Sequence, residues 1–317
     1  MKKHKILLTI FILFVAVNVY SALPIASFYL KKGPKEPVVS NKDAIKPLAS
    51  KERPYFSFIV ISDTGSGIFF NEAATLKVIS SINREDRFNK VPIDFVINVG
   101  DVTYRGKEAH YKNYMKIKSM IKFPVIDSVG NHDDDCDNGK RGIALFRKYC
   151  GREEFSFVDR NSYFIVLDNK GGDFTEAQFK WFENELNKGK NYAHTFVFLH
   201  KPPFNPVQKS WYRIETNPWS HRFLKLCERY RVDKVFSGHE SAVKSARFGS
   251  VEYIVTGGGG TPMMQPSSEG GILNYIIVKV NNDYTDFEVR RVYPPAWEFF
   301  TFYMWRDLLY FLRNLMN

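Results

Sequence analysis

The segment NVGDVTY (Asn98–Tyr104) closes the apolar strand candidate Phe95–Val99 with a glycine and then a carboxylate. Asp101 lies on the turn that follows the strand, and Tyr104 comes three residues later, so both side chains can face one point. A carboxylate in this position can also bridge two metal ions. The segment therefore predicts a strand that delivers oxygen ligands at its carboxyl end.

Four further apolar runs end in the same way. They are VISDTG (Val60–Gly65), SVGNHD (Ser128–Asp133), VFLH (Val197–His200) and FSGHES (Phe236–Ser241). Together the five segments supply six side chains that can hold metal: Asp63, Asp101, Tyr104, Asn131, His200 and His239. Carboxylate, phenolate and amide oxygens with imidazoles suit iron, zinc or manganese better than copper(I) or an iron–sulfur cluster. The pattern predicts a metal site where the strand ends meet.

The order of strand and helix signals predicts the fold class. Short apolar runs predict strands at Phe56–Ile61, Phe95–Val99, Val125–Ser128, Tyr163–Leu167, Thr195–Leu199, Lys234–Phe236, Glu252–Val255, Leu273–Val280 and Phe287–Val292. Helical periodicity predicts helices at Ala73–Ile82, Glu108–Ile121, Ile143–Tyr149, Glu176–Leu186 and His221–Tyr230. The first half alternates the two, whereas the last three strands follow one another directly. This order predicts an α/β fold of two packed mixed β-sheets flanked by helices, in four layers.

Charge lies unevenly along the 317 residues. The formal net charge is +11, but residues 1–54 carry ten of the Lys and Arg residues against three acidic ones. The excess therefore belongs mainly to the N-terminal tail and not to a face of the folded domain. This distribution argues against a nucleic-acid partner.

The N-terminus has the pattern of an export or anchoring signal. Lys2, Lys3 and Lys5 precede a run from Ile6 to Leu30 that holds no charged residue. A run of this length can span a bilayer, so residues 1–30 are predicted to be a signal peptide or an N-terminal membrane anchor. Residues 31–54, which hold lysine, proline and serine, are predicted to be a linker. Either alternative delivers the folded domain, predicted at residues 55–293, outside the cytosol as a secreted or membrane-anchored protein.

Residues 294–317 are predicted to form an aromatic-rich amphipathic helix. WEFFTFYMWRDLLYFLRNLM (Trp297–Met316) is mostly aromatic or large aliphatic, with charges at Glu298, Arg306, Asp307 and Arg313. Such a helix can pack on its own domain, or it can lie in the headgroup layer of a membrane, where tryptophan and tyrosine favour the boundary. The N-terminal segment favours the membrane alternative.

The three cysteines leave two alternatives open. Cys136 and Cys150 flank a short segment and can pair as a disulfide, which leaves Cys227 over. Buried free thiols are the other alternative. None of the three has the spacing of a metal site.

Five short motifs in this chain resemble, in chain order, the five motif segments of the calcineurin-like metallophosphoesterases. They are DTG, GDVTY, GNHD, VFLH and GH. Two features resemble the purple acid phosphatase branch in particular: Asp63-Thr64-Gly65 in the first segment, and Tyr104 three positions after Asp101. The resemblance extends from about Phe56 to Gly260. It implies the metallophosphoesterase sandwich fold and hydrolysis of a phosphoester by water that two metal ions activate.

The resemblance also implies which ion each ligand would hold. Asp63, Asp101 and Tyr104 would bind a ferric ion, and the phenolate would stabilise its trivalent state. The second ion would be zinc, Fe(II) or manganese. Its ligands would be Asp101 again, as a bridge, with Asn131, His200 and His239.

One position departs from the family pattern. The last segment of the family reads Gly-His-x-His, whereas this chain has Gly238-His239-Glu240-Ser241. A serine hydroxyl is a weak neutral ligand, so the ferric site loses an imidazole and is predicted to be weakened. Glu240 or water is a candidate to fill the gap.

The sequence therefore predicts a metal-dependent phosphoester hydrolase acting outside the cytosol or at a membrane surface. The resemblance implies that His132 contacts the phosphoryl group, stabilising its charge or protonating the leaving oxygen. The substrate is predicted to be a phosphoester, either a small molecule or a lipid head group, and membrane contact is expected. The loops Asp134–Arg141 and Asn205–Pro218 are expected to select it. The alternative function is a phosphatase-like binding or structural module whose chemistry is impaired by Ser241.

Overall fold

The structure, a computed structural model, describes most of the chain from Ser40 onward. The described ranges are 40–48, 55–88, 90–134, 140–204 and 218–316, together with Ile12 and Ala16. The predicted signal or anchor at residues 1–30 otherwise lies outside them. So do residues 31–39 and 49–54 of the predicted linker, and most of both predicted selectivity loops.

Eleven strands are formed by the described residues. They are β1 (Phe56–Ile61), β2 (Ile93–Asn98), β3 (Val125–Asp127), β4 (Phe155–Asp159), β5 (Ser162–Val166), β6 (His194–Phe198), β7 (Lys234–Ser237), β8 (Val243–Phe248), β9 (Val251–Thr256), β10 (Leu273–Val280) and β11 (Thr285–Val292). One sheet has the order β11-β10-β1-β2-β3, and the other has the order β4-β5-β6-β7-β9-β8. Each sheet combines parallel with antiparallel pairs, for example β1 parallel to β2 and antiparallel to β10. The predicted fold of two mixed sheets flanked by helices is confirmed.

The helices lie between the strands as the periodicity predicts. They are α1 (Asn41–Ile45), α2 (Phe69–Ile82), α3 (Glu85–Phe88), α4 (Glu108–Lys118), α5 (Lys140–Tyr149), α6 (Glu176–Gly189), α7 (Pro218–Arg229), α8 (Ala296–Glu298) and α9 (Met304–Met316). A π-helical turn, Phe299–Tyr303, joins the last two. At the start of α6, the Thr175 side chain accepts from the Gln178 backbone N–H, and the Gln178 side chain accepts from the Thr175 N–H. This reciprocal capping satisfies amide groups that the first helical turn leaves without partners.

Phenylalanines fill the space between the two sheets. Phe58 of β1 lies at ring-centroid distances of 5.2 Å from Phe95, 5.5 Å from Phe164 and 5.2 Å from Phe196. These side chains are fully buried and belong to one cluster to which both sheets contribute. Burying rings of this size stabilises the sandwich and fixes how the sheets sit on each other. The strand ends of one sheet are thereby held beside those of the other.

A short piece of the predicted linker is folded against the domain. Asn41 in α1 exchanges two hydrogen bonds with the backbone of Asp127, at 2.7 and 2.8 Å. Ala44 and Leu48 are buried in the phenylalanine cluster between the sheets. Residues 40–48 of the predicted linker therefore pack on the domain predicted at residues 55–293.

The C-terminal helical segment, residues 296–316, divides into two parts. Trp297, Phe302 and Tyr303 pack against the outer core of the first sheet. Farther along, Trp305, Leu309 and Phe311 expose half or more of their surface, at 53%, 63% and 59%. The first part thus packs on its own domain, and the second part presents an apolar face. Within the described ranges, no helix combines the length and the apolar character that crossing a bilayer requires.

Two of the cysteines are buried free thiols. Cys150 and Cys227 are fully buried, and neither forms a disulfide. Burial raises the pKa of both thiols. Cys136 lies outside the described residues. The alternative of a buried free thiol is therefore the one that the structure shows at Cys150.

Candidate metal centre and substrate cavity

The strand ends that carry the predicted ligands lie at one edge of the sandwich. Strands β1, β2 and β3 run parallel to one another, as do β6 and β7. Carboxyl ends of parallel strands point the same way, so the residues that follow them share one rim. The backbone holds the loops together directly, because Asp63 N–H donates to the carbonyl of Gly100 at 3.0 Å and Gly238 N–H donates to that of His200 at 2.9 Å.

Glycines beside the ligands permit this close approach. A Cβ on Gly100, whose φ is +104°, would lie 2.5 Å from Nδ1 of His200. A Cβ on Gly130 would lie 2.2 Å from the backbone nitrogen and Oδ1 of Asp101. Any side chain at these two positions would displace a ligand. The glycines in NVGD and VGNH are therefore required by packing at the site itself.

Three of the predicted ligands adopt left-handed backbone conformations. The φ angles of Asp63, Asp101 and His239 are 59°, 52° and 67°. A residue with a side chain in this region costs of order 1 kcal/mol or more, and such residues cluster at functional sites. The strain is held by the surrounding hydrogen bonds, including one from His239 N–H to Oδ2 of Asp63 at 3.0 Å.

Asp101, His200 and His239 form the centre of the site. Each offers one ligand atom, and these atoms all lie within 4.8 Å of one another. Nε2 of His200 is 3.1 Å from Oδ2 of Asp101, and the two imidazole rings are 5.2 Å apart at 79°. Two nitrogens and a carboxylate oxygen at such separations are the donor set of a divalent cation.

The chemistry of these donors fits a metal ion. Nδ1 of His200 is 2.9 Å from the carbonyl oxygen of Val99, so Nδ1 carries a proton and Nε2 is the nitrogen that faces the Asp101 carboxylate. Without a second proton, Nε2 presents a lone pair to that carboxylate, and the buried Oδ1 of Asn131 has no hydrogen-bond partner in the described structure. Buried acceptors turned toward one another repel unless a positive charge lies between them. A cation bound by these residues supplies that charge.

A proton on His200 is the other source of positive charge at the site. Burial works against a charged imidazole, but Asp101 raises the pKa of His200 to about 9. Burial likewise opposes a charged Asp101, whereas His200 holds its pKa below the usual range. Burial raises the pKa of Asp63 to about 7. Burial and the charge of His200 lower the pKa of His239 to about 3, so that imidazole is neutral and its lone pair is available.

Tyr104 and His132 lie beside this centre and line the same cavity. Their rings are stacked with centroids 5.8 Å apart. Nδ1 of His132 is 2.9 Å from the carbonyl oxygen of Tyr104, and its backbone N–H donates to Oδ1 of Asp101 at 2.8 Å. Since a carbonyl only accepts, Nδ1 of His132 is protonated and Nε2 remains for a ligand in the cavity. Arg105 places a positive charge 5.4 Å from the centre of the Tyr104 ring.

Ser241 occupies the position that the sequence marks as altered. It lines the cavity together with Asp63 and Tyr104. The Glu240 side chain is buried and is not among the lining residues. The gap left by the family's imidazole is therefore bordered by a hydroxyl, and Glu240 does not fill it.

Two residues that hold the site were not singled out in the sequence. Asp133 accepts backbone hydrogen bonds from Val102, Thr103 and Gly130 at 3.2, 2.8 and 2.9 Å, and so ties the Asp101 turn to the Asn131 turn. Oδ1 of Asn169 accepts from the backbone of His200 and Lys201 at 2.9 and 3.0 Å. Asp133 stands in the quoted segment GNHD and Asn169 stands outside the five segments, and the role of both depends on contacts with distant turns.

The strand ends open into a cavity of about 760 Å³. A second group of lining side chains comes from elsewhere: Ile68, Phe70, Met264, Trp297, Glu298 and Phe302. Three of these belong to the C-terminal helical segment. Glu298 is only 4% exposed, and its Oε2 has no hydrogen-bond partner in the described structure. Sequence reasoning missed this carboxylate, since a single acid in an aromatic run is an ordinary surface charge.

A two-sheet sandwich with carboxylate and imidazole ligands at its strand ends defines a metallophosphoesterase. The chain belongs to the calcineurin-like phosphoesterase family, whose profile matches residues 56–242. The matched region covers the five ligand-bearing segments and ends just after Ser241. The predicted family is confirmed, and with it the class of phosphoester hydrolase. The C-terminal helical segment lies outside the match.

Known relatives and structures are similar over the same core. A probable cyclic nucleotide phosphodiesterase of Rhodopseudomonas palustris is 26% identical over 201 residues, covering 57% of this chain and 70% of that protein. A purple acid phosphatase from yellow lupin (Lupinus luteus) has a TM-score of 0.59 at 13% identity, over 77% of this chain and 53% of that one. GAP50, described as the anchor in the inner membrane complex of Plasmodium, has a TM-score of 0.58 at 13% identity, over 76% and 90%. The two structures share the fold with this chain. This chain spans about half the length of the lupin protein.

Proposed function

We propose that this protein hydrolyses phosphoesters with the help of metal ions bound at the strand ends. The observation that carries the proposal is the convergence of Asp101, His200 and His239, whose ligand atoms lie within 4.8 Å of one another, with His200 Nε2 3.1 Å from the Asp101 carboxylate. Only a proton or a cation makes this arrangement favourable. Family membership and the similar phosphodiesterase of Rhodopseudomonas palustris support the choice of a phosphoester.

The residues of the chain divide the work. Asp63, Asp101 and Tyr104 would hold a first ion, and Asn131, His200 and His239 would hold a second that shares Asp101. Bound metal ions neutralise phosphoryl charge and lower the pKa of water for attack at phosphorus. His132 Nε2, left available by the hydrogen bond at Nδ1, would donate to a phosphoryl oxygen or to the leaving oxygen when the imidazole carries both protons.

The two ion sites differ in strength. The first has lost an imidazole at Ser241, so we propose that it binds its ion more weakly than the second. A ferric ion at the first site is favoured by the Tyr104 phenolate, with zinc, Fe(II) or manganese at the second. Iron bound to the phenolate would give a visible absorption band that Tyr104→Phe removes.

The test measures metal content and turnover on the full chain. Purified protein is analysed for bound metals, and a chromogenic phosphomonoester and a phosphodiester are assayed. His200→Gln should remove the tightly held ion and the activity together, whereas His221→Gln, at an exposed position of α7, should change neither. Wild-type protein that binds no metal and shows no turnover above His200→Gln would refute the proposal.

We place this activity outside the cytosol or at a membrane surface. The support comes from the uncharged run between Ile6 and Leu30 and from the apolar face presented by Trp305, Leu309 and Phe311. Amphipathic helices rich in tryptophan and phenylalanine bind at the boundary between headgroups and acyl chains. Cell fractionation with alkaline extraction checks the location, and recovery in the soluble cytosolic fraction would refute it.

A second candidate is a binding or structural module with the same fold. Ser241 favours it, since the chain lacks one metal ligand of its family. The similarity to GAP50, described as an anchor, supports a module of this kind at a membrane. Metal-loaded protein that retains its ion but shows no turnover would select this candidate.

A further inference from the structure

The C-terminal helical segment contributes a buried carboxylate and aromatic rings to the cavity that holds the metal ligands. We propose that Glu298, Trp297 and Phe70 bind a positively charged ammonium group, so that the preferred substrate is a phosphoester of an ammonium-bearing alcohol. This inference rests on the proposed phosphoester hydrolysis and assigns its substrate class.

Glu298 is built as a binding group and not as a structural one. Glu298 is only 4% exposed and lines the cavity. Its Oε2 has no hydrogen-bond partner in the described structure. Tyr303 donates to the carboxyl group, and the Tyr303 hydroxyl in turn accepts from Met263 N–H at 3.3 Å. This holds the carboxyl group in place while one oxygen stays available. A buried carboxylate oxygen without a hydrogen-bond partner is unfavourable, and a bound cation would offset that cost.

The surroundings of Glu298 suit an ammonium group. The rings of Trp297 and Phe70 both line the cavity, with centroids 5.1 Å apart and planes at 57°. Aromatic faces attract cations, and quaternary ammonium groups are recognised by rings arranged in this way. Ile68 and Met264 add apolar side chains to the same lining. Burial also raises the pKa of Glu298 to about 7, so an entering cation would hold the carboxylate ionised at neutral pH.

The carboxylate of Glu298 disfavours a substrate whose only charge is negative. The phosphoryl group carries negative charge, and a buried carboxylate lining the same cavity repels it. The repulsion disappears when the alcohol carries a positive charge. A cavity of about 760 Å³ is large enough to take a phosphoryl group together with such an alcohol. The metal centre would bind the phosphoryl end, and Glu298, Trp297 and Phe70 would bind the ammonium end.

The test compares two diesters with the same leaving group. One is p-nitrophenyl phosphorylcholine, and the other is p-nitrophenyl 3,3-dimethylbutyl phosphate, in which carbon replaces the quaternary nitrogen. Water forms a new P–O bond, the P–O bond to nitrophenolate breaks, and the proton of water passes to solvent. The full chain should prefer the choline ester about tenfold or more in kcat/KM, the size expected for a desolvated cation–π contact.

Glu298→Gln should lower this ratio at least about threefold, because the amide keeps its hydrogen bond with Tyr303 but loses the charge. Glu269→Gln is the matched control: Glu269 accepts from Tyr310 of the same helical segment and does not line the cavity. It should leave the ratio unchanged. A wild-type ratio near 1, or equal losses on both esters in Glu298→Gln, would overturn the proposal.

Two further measurements separate the sources of the substrate and the two proposals. Turnover of phosphatidylcholine vesicles identifies a lipid head group, whereas turnover of glycerophosphocholine identifies a soluble ester, and either supports the proposal. If no phosphoester is hydrolysed, choline and 3,3-dimethylbutanol are titrated against tryptophan fluorescence. Choline binding that Glu298→Gln removes upholds the ammonium site while hydrolysis fails. Equal binding of both alcohols, or of neither, overturns the ammonium site itself.

Discussion

Two groups of side chains line one cavity, and the protein holds them in opposite ways. The strand-end ligands are fixed by the backbone: left-handed residues at Asp63, Asp101 and His239, and hydrogen bonds between turns. The lining residues of the C-terminal helical segment are held by the packing of Trp297 and Phe302 on the outer core. This segment lies outside the family-matched residues 56–242. The backbone leaves the strand-end ligands little freedom, and we propose that they carry the chemistry. The C-terminal segment is held by side-chain packing, and we propose that it selects the substrate.

The largest effect is expected at the strand ends. Asp101→Asn keeps the shape but removes the charge that lies 3.1 Å from His200 Nε2. Since losses in the outer shell of a metal already cost ten- to a hundredfold, metal affinity should fall more than about a hundredfold. Isothermal titration with zinc or manganese measures this. Equal affinity in Asp101→Asn and wild type would show that Asp101 does not hold the ion.

A smaller effect is expected at Glu298, where a substitution should stabilise the folded protein. Burial raises the pKa of this carboxyl from 4.5 to about 7 in the folded protein. Its ionisation therefore favours unfolding, so stability is intact below about pH 4.5 and is lost as pH rises toward 7. The loss amounts to about 3 kcal/mol. Glu298→Gln lacks it and should become more stable than wild type by about this amount at pH 8 relative to pH 4.5.

Urea unfolding at the two pH values measures this difference. Glu176→Gln serves as the control, because Glu176 is an exposed carboxylate at the start of α6 that pairs with Arg222 on the surface. Its effect on the free energy of unfolding should be within about 0.5 kcal/mol at either pH. A variant–wild-type difference at Glu298 that does not change with pH would show that this carboxyl is not buried as the structure has it.

The smallest effect sharpens the contrast within the strand-end group. Ser241→His restores an imidazole beside Asp63 and Tyr104, where the family has one. Affinity for the ion beside Asp63 and Tyr104 should rise about ten- to a hundredfold, while the ion bound by His200 and His239 is little changed. Metal analysis after limited dialysis distinguishes the two. Unchanged stoichiometry would mean that the lost imidazole has no part in holding that ion.

The sequence predicted the fold and the strand ends well because both depend on local patterns. Apolar runs placed β1 and β10 to the residue, and the turns that follow the parallel strands β1, β2, β6 and β7 lie at one rim. Strands β4 and β8 were missed. In β8, the segment VKSARF is largely exposed at a sheet edge and contains no apolar run. The docking of Asn41 on Asp127 was missed as well, because the partners stand 86 residues apart.

The cavity wall was beyond sequence reasoning for the same physical reason. Trp297 meets Phe70 across more than two hundred residues, and no local periodicity records that contact. The helical pattern of residues 297–316 left packing and membrane contact as alternatives. The structure shows packing for the first part of that segment, and membrane contact remains a prediction for its exposed face.

The left-handed backbone at Asp63, Asp101 and His239 has a consequence for reading divergent sequences. Asparagine and glycine tolerate that conformation, whereas alanine and branched residues resist it. A descendant that abandoned catalysis while still needing a rigid scaffold would drift at these three places toward Asn or Gly. Substitutions limited to Asn and Gly at these positions would indicate a protein that has lost catalysis but keeps its fold. Unrestricted substitutions would indicate a gene that is no longer under selection to fold.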